Sequence, residues 1–142
     1  MKLFRVLIVE DEKDAADSLG LLMRLAGYDV EVAYTPHVAL LMAEKQQPNV
    51  VLLDIGLPRL DGYEVARTLR RRPETKGALI IAVTGFAQES AREASAEAGF
   101  DLHLVKPLDL EQLTRTIRCH PRLVYREIRG LSRINAPIDE GL

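Results

Sequence analysis

Five apolar runs of strand length recur along the chain with helix-patterned segments between them, and this alternation constrains the fold more than any other feature. The runs are "LFRVLIV" (3–9), "YDVEVA" (28–33), "VVLL" (50–53), "ALIIAV" (78–83) and "DLHLV" (101–105). Strands that alternate with helices imply parallel βαβ crossovers. Runs one, three and four are almost continuously apolar, as strands covered on both faces are, whereas "YDVEVA" alternates as an edge strand does. The expectation is an α/β three-layer sandwich of (βα)5 type, its parallel five-stranded sheet in the order 2-1-3-4-5. A length of 142 residues holds one ordinary core, so a single domain over 1–120 and a C-terminal tail over 121–142 are expected.

The helical segments carry their own punctuation. Between Glu12 and Ala26, the residues Ala15, Leu19, Leu22, Met23 and Ala26 recur at three and four and predict one apolar stripe, closed by Gly27. Thr35-Pro36 supplies an N-cap and a first-turn proline for a second helix. Asp109 with Gln112 forms a capping-box pattern ahead of Leu110, Leu113 and Ile117. "RRRPETKG" (70–77) reads as a surface loop, and "RTLRRR" (67–72) as a helix C-terminus favoured by the macrodipole. The segment "AREASAEAG" (91–99) predicts an alanine-rich fourth helix with few large apolar anchors.

The polar residues at the strand ends are the unusual ones. Glu10 and Asp11 follow the first strand, Asp54 the third, Thr84 the fourth and Lys106 the fifth. In a parallel sheet all of them land on one edge, and open α/β sheets bind ligands outside that edge where the strand order reverses, here between strands one and three. Three carboxylates gathered there repel one another unless a cation is present. Hard oxygen donors of this kind suit Mg2+. The plainer alternative, that acids at strand ends are helix caps, is open for Asp11 taken alone.

Composition narrows the function classes. A net charge of −2 argues against wholesale nucleic-acid binding. No apolar run approaches the roughly 18 residues of a membrane span, and "MKLFRVLIVEDE" turns acidic too early for a signal peptide, so a cytoplasmic location is expected. A lone cysteine, Cys119, cannot staple the fold, and His37, His120 and Cys119 lack metal-site spacing. "VEDEKD" would repel a flavin phosphate, which disfavours an electron carrier. Asp11 is followed by Glu12 and Lys13, without the Asp-x-Asp pattern of aspartate-nucleophile phosphatases, and no GxxxxGK[ST] loop appears.

"VEDE" after the first strand, "LLDIGLPRLDG" around Asp54, "AVTGFA" around Thr84 and "LVKPLDLEQL" around Lys106 together resemble the receiver domain of two-component response regulators, over about residues 3 to 119. The resemblance implies the flavodoxin-like version of the fold and a phosphorylation-dependent switch. In that family Asp54 would accept a phosphoryl group from a phosphohistidine on a sensor histidine kinase or histidine phosphotransfer protein. Glu10, Asp11, Asp54 and the backbone carbonyl of Gly56 would hold Mg2+. Thr84 and Lys106 would bind the phosphoryl oxygens, with a cis bond at Lys106-Pro107. His103 stands where the family usually has a tyrosine or phenylalanine that turns with the switch, and is either a smaller switch residue or a strand residue without a special role. Gly56 and Phe86 occupy positions that tune dephosphorylation. Pro58 is expected to shape the loop after Asp54, and Gly62 to relax the first turn of the third helix.

The resemblance implies a signalling phosphoacceptor rather than a metabolic enzyme. The closest alternative is a pseudo-receiver, an interaction module working without phosphorylation. The downstream target is unspecified, and homodimerisation through the fourth helix, fifth strand and fifth helix is a family habit that the sequence leaves undecided. The tail is too short for a helix-turn-helix domain, so no direct DNA-binding domain is expected. Its arginines, with Arg115 and Arg118 before them, fall at 122, 126, 129 and 133, one helical face if Pro121 kinks the helix or begins a new one. That face is either solvated or an electrostatic contact.

Overall fold

A computed structural model describes residues 4–55, 61–85 and 97–124. The described elements are β1 (Arg5–Val9), α1 (Lys13–Leu25), β2 (Asp29–Ala33), α2 (Pro36–Gln46), β3 (Val50–Asp54), α3 (Asp61–Arg71), β4 (Leu79–Thr84), β5 (Leu102–Val105) and α4 (Leu110–Cys119). The strands form one parallel sheet in the order β2-β1-β3-β4-β5. Most of the helix expected over 91–99, the loop residues Gly56, Pro58 and Phe86, and the tail beyond Val124 lie outside the described residues.

Strand alternation divides the core in two. Val6, Ile8, Val50, Leu52, Leu79, Ile81 and Val83 face one side and pack with Met23 of α1 and Leu113 and Ile117 of α4. Leu7, Val9, Val51, Leu53, Ile80 and Ala82 face the other and pack with Ala39 and Ala43 of α2 and Val65, Ala66 and Leu69 of α3. Because both faces are covered, β1, β3 and β4 read as continuous apolar runs. Tyr63 meets Phe100 edge to face on the second side, with ring centres 6.0 Å apart.

The caps follow from local chemistry. Thr35 Oγ1 accepts from the N–H of Val38 at 3.2 Å, and Asp109 Oδ1 accepts from Glu111 and Gln112 at 3.0 and 3.3 Å. Helix α1 is capped by Glu12, whose Oε1 accepts from Ala15 at 2.8 Å. It ends before Gly27, whose φ of 103° suits a residue without Cβ.

The buried stripe of α1 differs from the expected one. Its buried residues are Ala16, Gly20 and Met23, with Leu19 half-buried, whereas Ala15, Leu22 and Ala26 are exposed. The helix is rotated toward its small residues because a Cβ on Gly20 would already touch Val32 Cγ2 at 3.0 Å, so close packing on β2 outweighs the burial of one more leucine. Gly62 is likewise explained by space rather than backbone freedom. An added Cβ would sit 2.8 Å from Ile55 Cγ2 and 3.4 Å from the carbonyl of Asp54.

The segment 70–77 is not a free surface loop. Arg70 lies within α3 and donates to the carbonyls of Gly99, Lys76 and Ala78 at 2.8, 2.8 and 2.6 Å, and to Asp101 Oδ2 at 2.6 Å. Thr75 is fully buried, its hydroxyl donating to the carbonyl of Leu69 at 2.7 Å. Beyond α4, His120 is extended and the chain turns helical again over 121–124, so Pro121 begins a new helical segment rather than kinking the old one. Leu123 is fully buried in the α1–α4 side of the core. Arg122 does not share a solvated face with the exposed Arg115 and Arg118, because its Nε donates to Asp101 Oδ1 at 2.8 Å.

Candidate functional site

The register of the sheet places its strand ends level with one another. Val9 is opposite Leu53, Asp54 opposite Val83, and Thr84 opposite Val105. Backbone bonds continue the ladder past the strands: Glu10 N–H donates to the carbonyl of Ala33 at 3.1 Å, Ile55 to Val83 at 2.9 Å, and Lys106 to Thr84 at 2.7 Å. Residues just beyond a strand are therefore held as firmly as those within it, which gives the edge a fixed geometry.

On that edge one carboxylate oxygen from each of Glu10, Asp11 and Asp54 lies within 4.8 Å of the other two. Lys106 Nζ reaches across from the end of β5 and donates to Glu10 Oε1 at 2.9 Å and Asp54 Oδ2 at 3.0 Å. The Asp54 side chain is only 6% exposed, while Asp11 is open to solvent. Glu10 accepts from the N–H of Glu12 at 3.0 Å through its second oxygen. Helix α1 is capped by Glu12, so Asp11 is not spent as its cap. Glu12, which sequence reasoning did not single out, thus fixes both the helix start and the Glu10 carboxylate. The acidic run "VEDE" contained that signal without distinguishing which acid does what.

Burial pushes the Glu10 carboxyl above its ordinary value; Lys106 and the Glu12 N–H pull it back, and the nearby Asp54 carboxylate raises it further. Burial alone would lower Lys106, but its bonds to Glu10 and Asp54 outweigh that and hold the ammonium above its ordinary value. Three carboxylates against one ammonium leave the edge negative. The donor set of hard oxygens, partly dry and short of positive charge, fits a divalent ion such as Mg2+.

Thr84 is buried at the end of β4. The Lys106-Pro107 bond is cis. His103 lies on β5 opposite Ala82, half-buried, and by alternation on the sheet face opposite Leu102 and Leu104, which pack with the α1–α4 side. Gly56 lies outside the described residues. The edge therefore brings together Glu10, Asp11, Asp54 and Lys106, with Thr84 one strand away, and leaves His103 below the edge on β5.

Comparison with known proteins agrees with this arrangement. The model of the response regulator receiver domain matches residues 6–118. The DNA-binding dual master transcriptional regulator RpaA of Synechocystis is 31% identical over 114 residues, which are 80% of this chain and 47% of that protein. The chain thus spans about half the length of that relative. A CheY-like receiver domain protein from Methanospirillum hungatei superposes with a TM-score of 0.74 at 32% identity, over 82% of this chain and 92% of that one. The receiver domain of the sensor histidine kinase PA1611 from Pseudomonas aeruginosa, solved with magnesium coordinated in its active-site cleft, gives a TM-score of 0.73 at 31% identity, over 82% and 96%. A parallel sheet in this strand order, with acids at the first and third strand ends and a lysine after the fifth, matched by a family model across most of its length, makes the chain a member of the response regulator receiver domain family.

Proposed function

We propose that this chain is a phosphorylation-dependent signalling switch of a two-component or phosphorelay system, with Asp54 as its phosphoacceptor. The phosphodonor is a phosphohistidine on a sensor histidine kinase or histidine phosphotransfer protein. An Asp54 carboxylate oxygen attacks phosphorus, the P–N bond breaks, and the imidazole nitrogen leaves with the electron pair, giving an acyl phosphate on Asp54. The observation that carries this reading is the convergence of the Glu10, Asp11 and Asp54 carboxylates within 4.8 Å of one another on one rigid edge, with Lys106 bonded to Glu10 and Asp54.

Glu10, Asp11, Asp54 and the backbone carbonyl of Gly56 would hold Mg2+, and the magnesium in the PA1611 receiver supports this choice of ion. When bound, the ion neutralises charge on the transferring phosphoryl oxygens. The chain's own residues supply the rest. Lys106 is already poised between two carboxylates and exchanges one of them for a phosphoryl oxygen, while the Thr84 hydroxyl donates to another. The added charge and acceptors then draw the end of β4 toward Asp54, and the output surface beside β5, including His103, follows as a shift between two pre-existing states. The protein acts as a signalling phosphoacceptor, with downstream partners engaged through that surface. Among the described residues no helix is long and apolar enough to cross a membrane.

The test is incubation of the protein with Mg2+ and acetyl phosphate followed by intact mass measurement. One added phosphoryl group, lost in Asp54→Asn and on chelation of the metal, is expected. An unmodified mass under all conditions would establish the pseudo-receiver alternative instead.

A further inference from the structure

We propose that an apolar cavity beside Asp54 binds a small organic cation, an ammonium carried on a short apolar body. The cavity measures about 420 Å3, within the range of small-molecule sites. Leu19 of α1 forms one wall, Pro107 and Leu108 the opposite wall, and Leu52 and Val83 the sheet floor. At its mouth α1 presents the small side chain of Ala15. Its polar groups, Glu10, Asp54 and Lys106, all belong to the strand-end edge just described.

The charge of that polar end selects the ligand. Lys106 is committed to both carboxylates, and a third carboxylate, Asp11, lies within 4.8 Å. In the metal-free protein a carboxylate or phosphate on an incoming molecule meets like charge, and an alcohol gains one neutral hydrogen bond. An ammonium gains charge-assisted bonds in a partly dry setting while its body covers apolar wall. Because those carboxylates are the ones that would hold a divalent ion, amine and metal exclude each other, and each weakens the other by the same factor. This site needs only the cavity and its carboxylates and does not depend on phosphoryl acceptance.

The full chain is titrated by calorimetry with 2-phenylethylammonium, and with 2-phenylethanol and 3-phenylpropanoate as probes of similar body and different charge. One-to-one saturable binding of the amine is expected, at least tenfold tighter than the alcohol, with no saturation by the carboxylate. Ala15→Phe, which fills the mouth from an exposed helix position, weakens the amine at least tenfold and leaves Mg2+ affinity within twofold. Saturating amine weakens Mg2+ at least tenfold. Equal binding of all three probes, amine binding that survives Ala15→Phe, or Mg2+ affinity indifferent to the amine would each overturn the proposal. If Ala15→Phe does not fold, Leu108→Trp fills the cavity from the other wall and is read the same way. The acetyl phosphate assay is scored separately, so failure of the phosphoacceptor reading leaves the amine titration interpretable.

Discussion

Lys106 holds Glu10 and Asp54 at once, and each carboxylate depends on it for compensation. Removing the ammonium leaves two neighbouring acids, one of them buried, facing each other. Lys106→Ala is therefore expected to destabilise the metal-free protein by about 1–2 kcal/mol at pH 7, because the lysine is partly exposed and the pair is screened. The loss shrinks when Mg2+ is added and when pH falls, since a carboxyl raised above its ordinary value binds its proton more tightly in the folded state; urea melts at pH 7 and pH 5 with and without the ion check this. At the base of the sheet Gly99 has φ 104°, and an added Cβ would sit 2.6 Å from Arg70 Cγ. Gly99→Ala combines backbone strain with displacement of an arginine that ties four partners, and should cost about 2–3 kcal/mol by denaturant midpoint. The carboxylates and the lysine were legible as residue types out of place at strand ends. The role of Glu12 was not, because three successive acids carry no sign of which one turns inward.

Among the elements, the strand-length apolar runs and the strong caps match the structure, and the buried faces decided by packing do not. Thr35-Pro36 and Asp109 announced their helices because capping is local chemistry. The buried face of α1 was misjudged because three adjacent positions, Leu21, Leu22 and Met23, are all apolar, and only the tertiary approach of Gly20 to Val32 decides among them. The arginines of α3 close a helix C-terminus as the macrodipole favours, but nothing in the sequence shows that Asp101 receives both Arg70 and Arg122. That convergence, with the burial of Leu123, packs residues 121–124 against the sheet and α4 side of the core. Leu123→Ala should cost about 2–4 kcal/mol, as for other fully buried leucines, in urea denaturation. Asp101→Asn should cost more than Arg122→Ala, since it weakens both arginines and the bond from Ile80 N–H, and a double-mutant cycle with Arg70→Ala gives a nonzero coupling.

For the whole molecule, the sheet order followed from strand periodicity and the crossover rule, so the site was legible once the strand ends were. What the sequence could not supply is the distance scale that turns acids on separate strands into one donor set. The proposed Mg2+ would be a whole-molecule ligand, because Glu10, Asp11 and Asp54 come from two neighbouring strands and only the folded chain unites them. Binding to the folded state alone raises stability by RT ln(1 + [L]/Kd), about 1.4 kcal/mol at ten times Kd. Mg2+ should therefore raise the melting temperature of the native protein and leave that of Asp54→Asn, Asp11→Asn nearly unchanged. The pH dependence follows from the same residues. Ligand carboxylates must be ionised, and Glu10 titrates above its ordinary 4.5, so the ion has to displace a proton at a pH where an ordinary glutamate would already be free. The Mg2+ increment should be full near neutrality and decline as pH falls toward the carboxylate range, where Glu10 binds its proton. Thermal melts from pH 7.5 to 4.5 at fixed ion concentration measure it, and an increment independent of pH would place the ion away from Glu10.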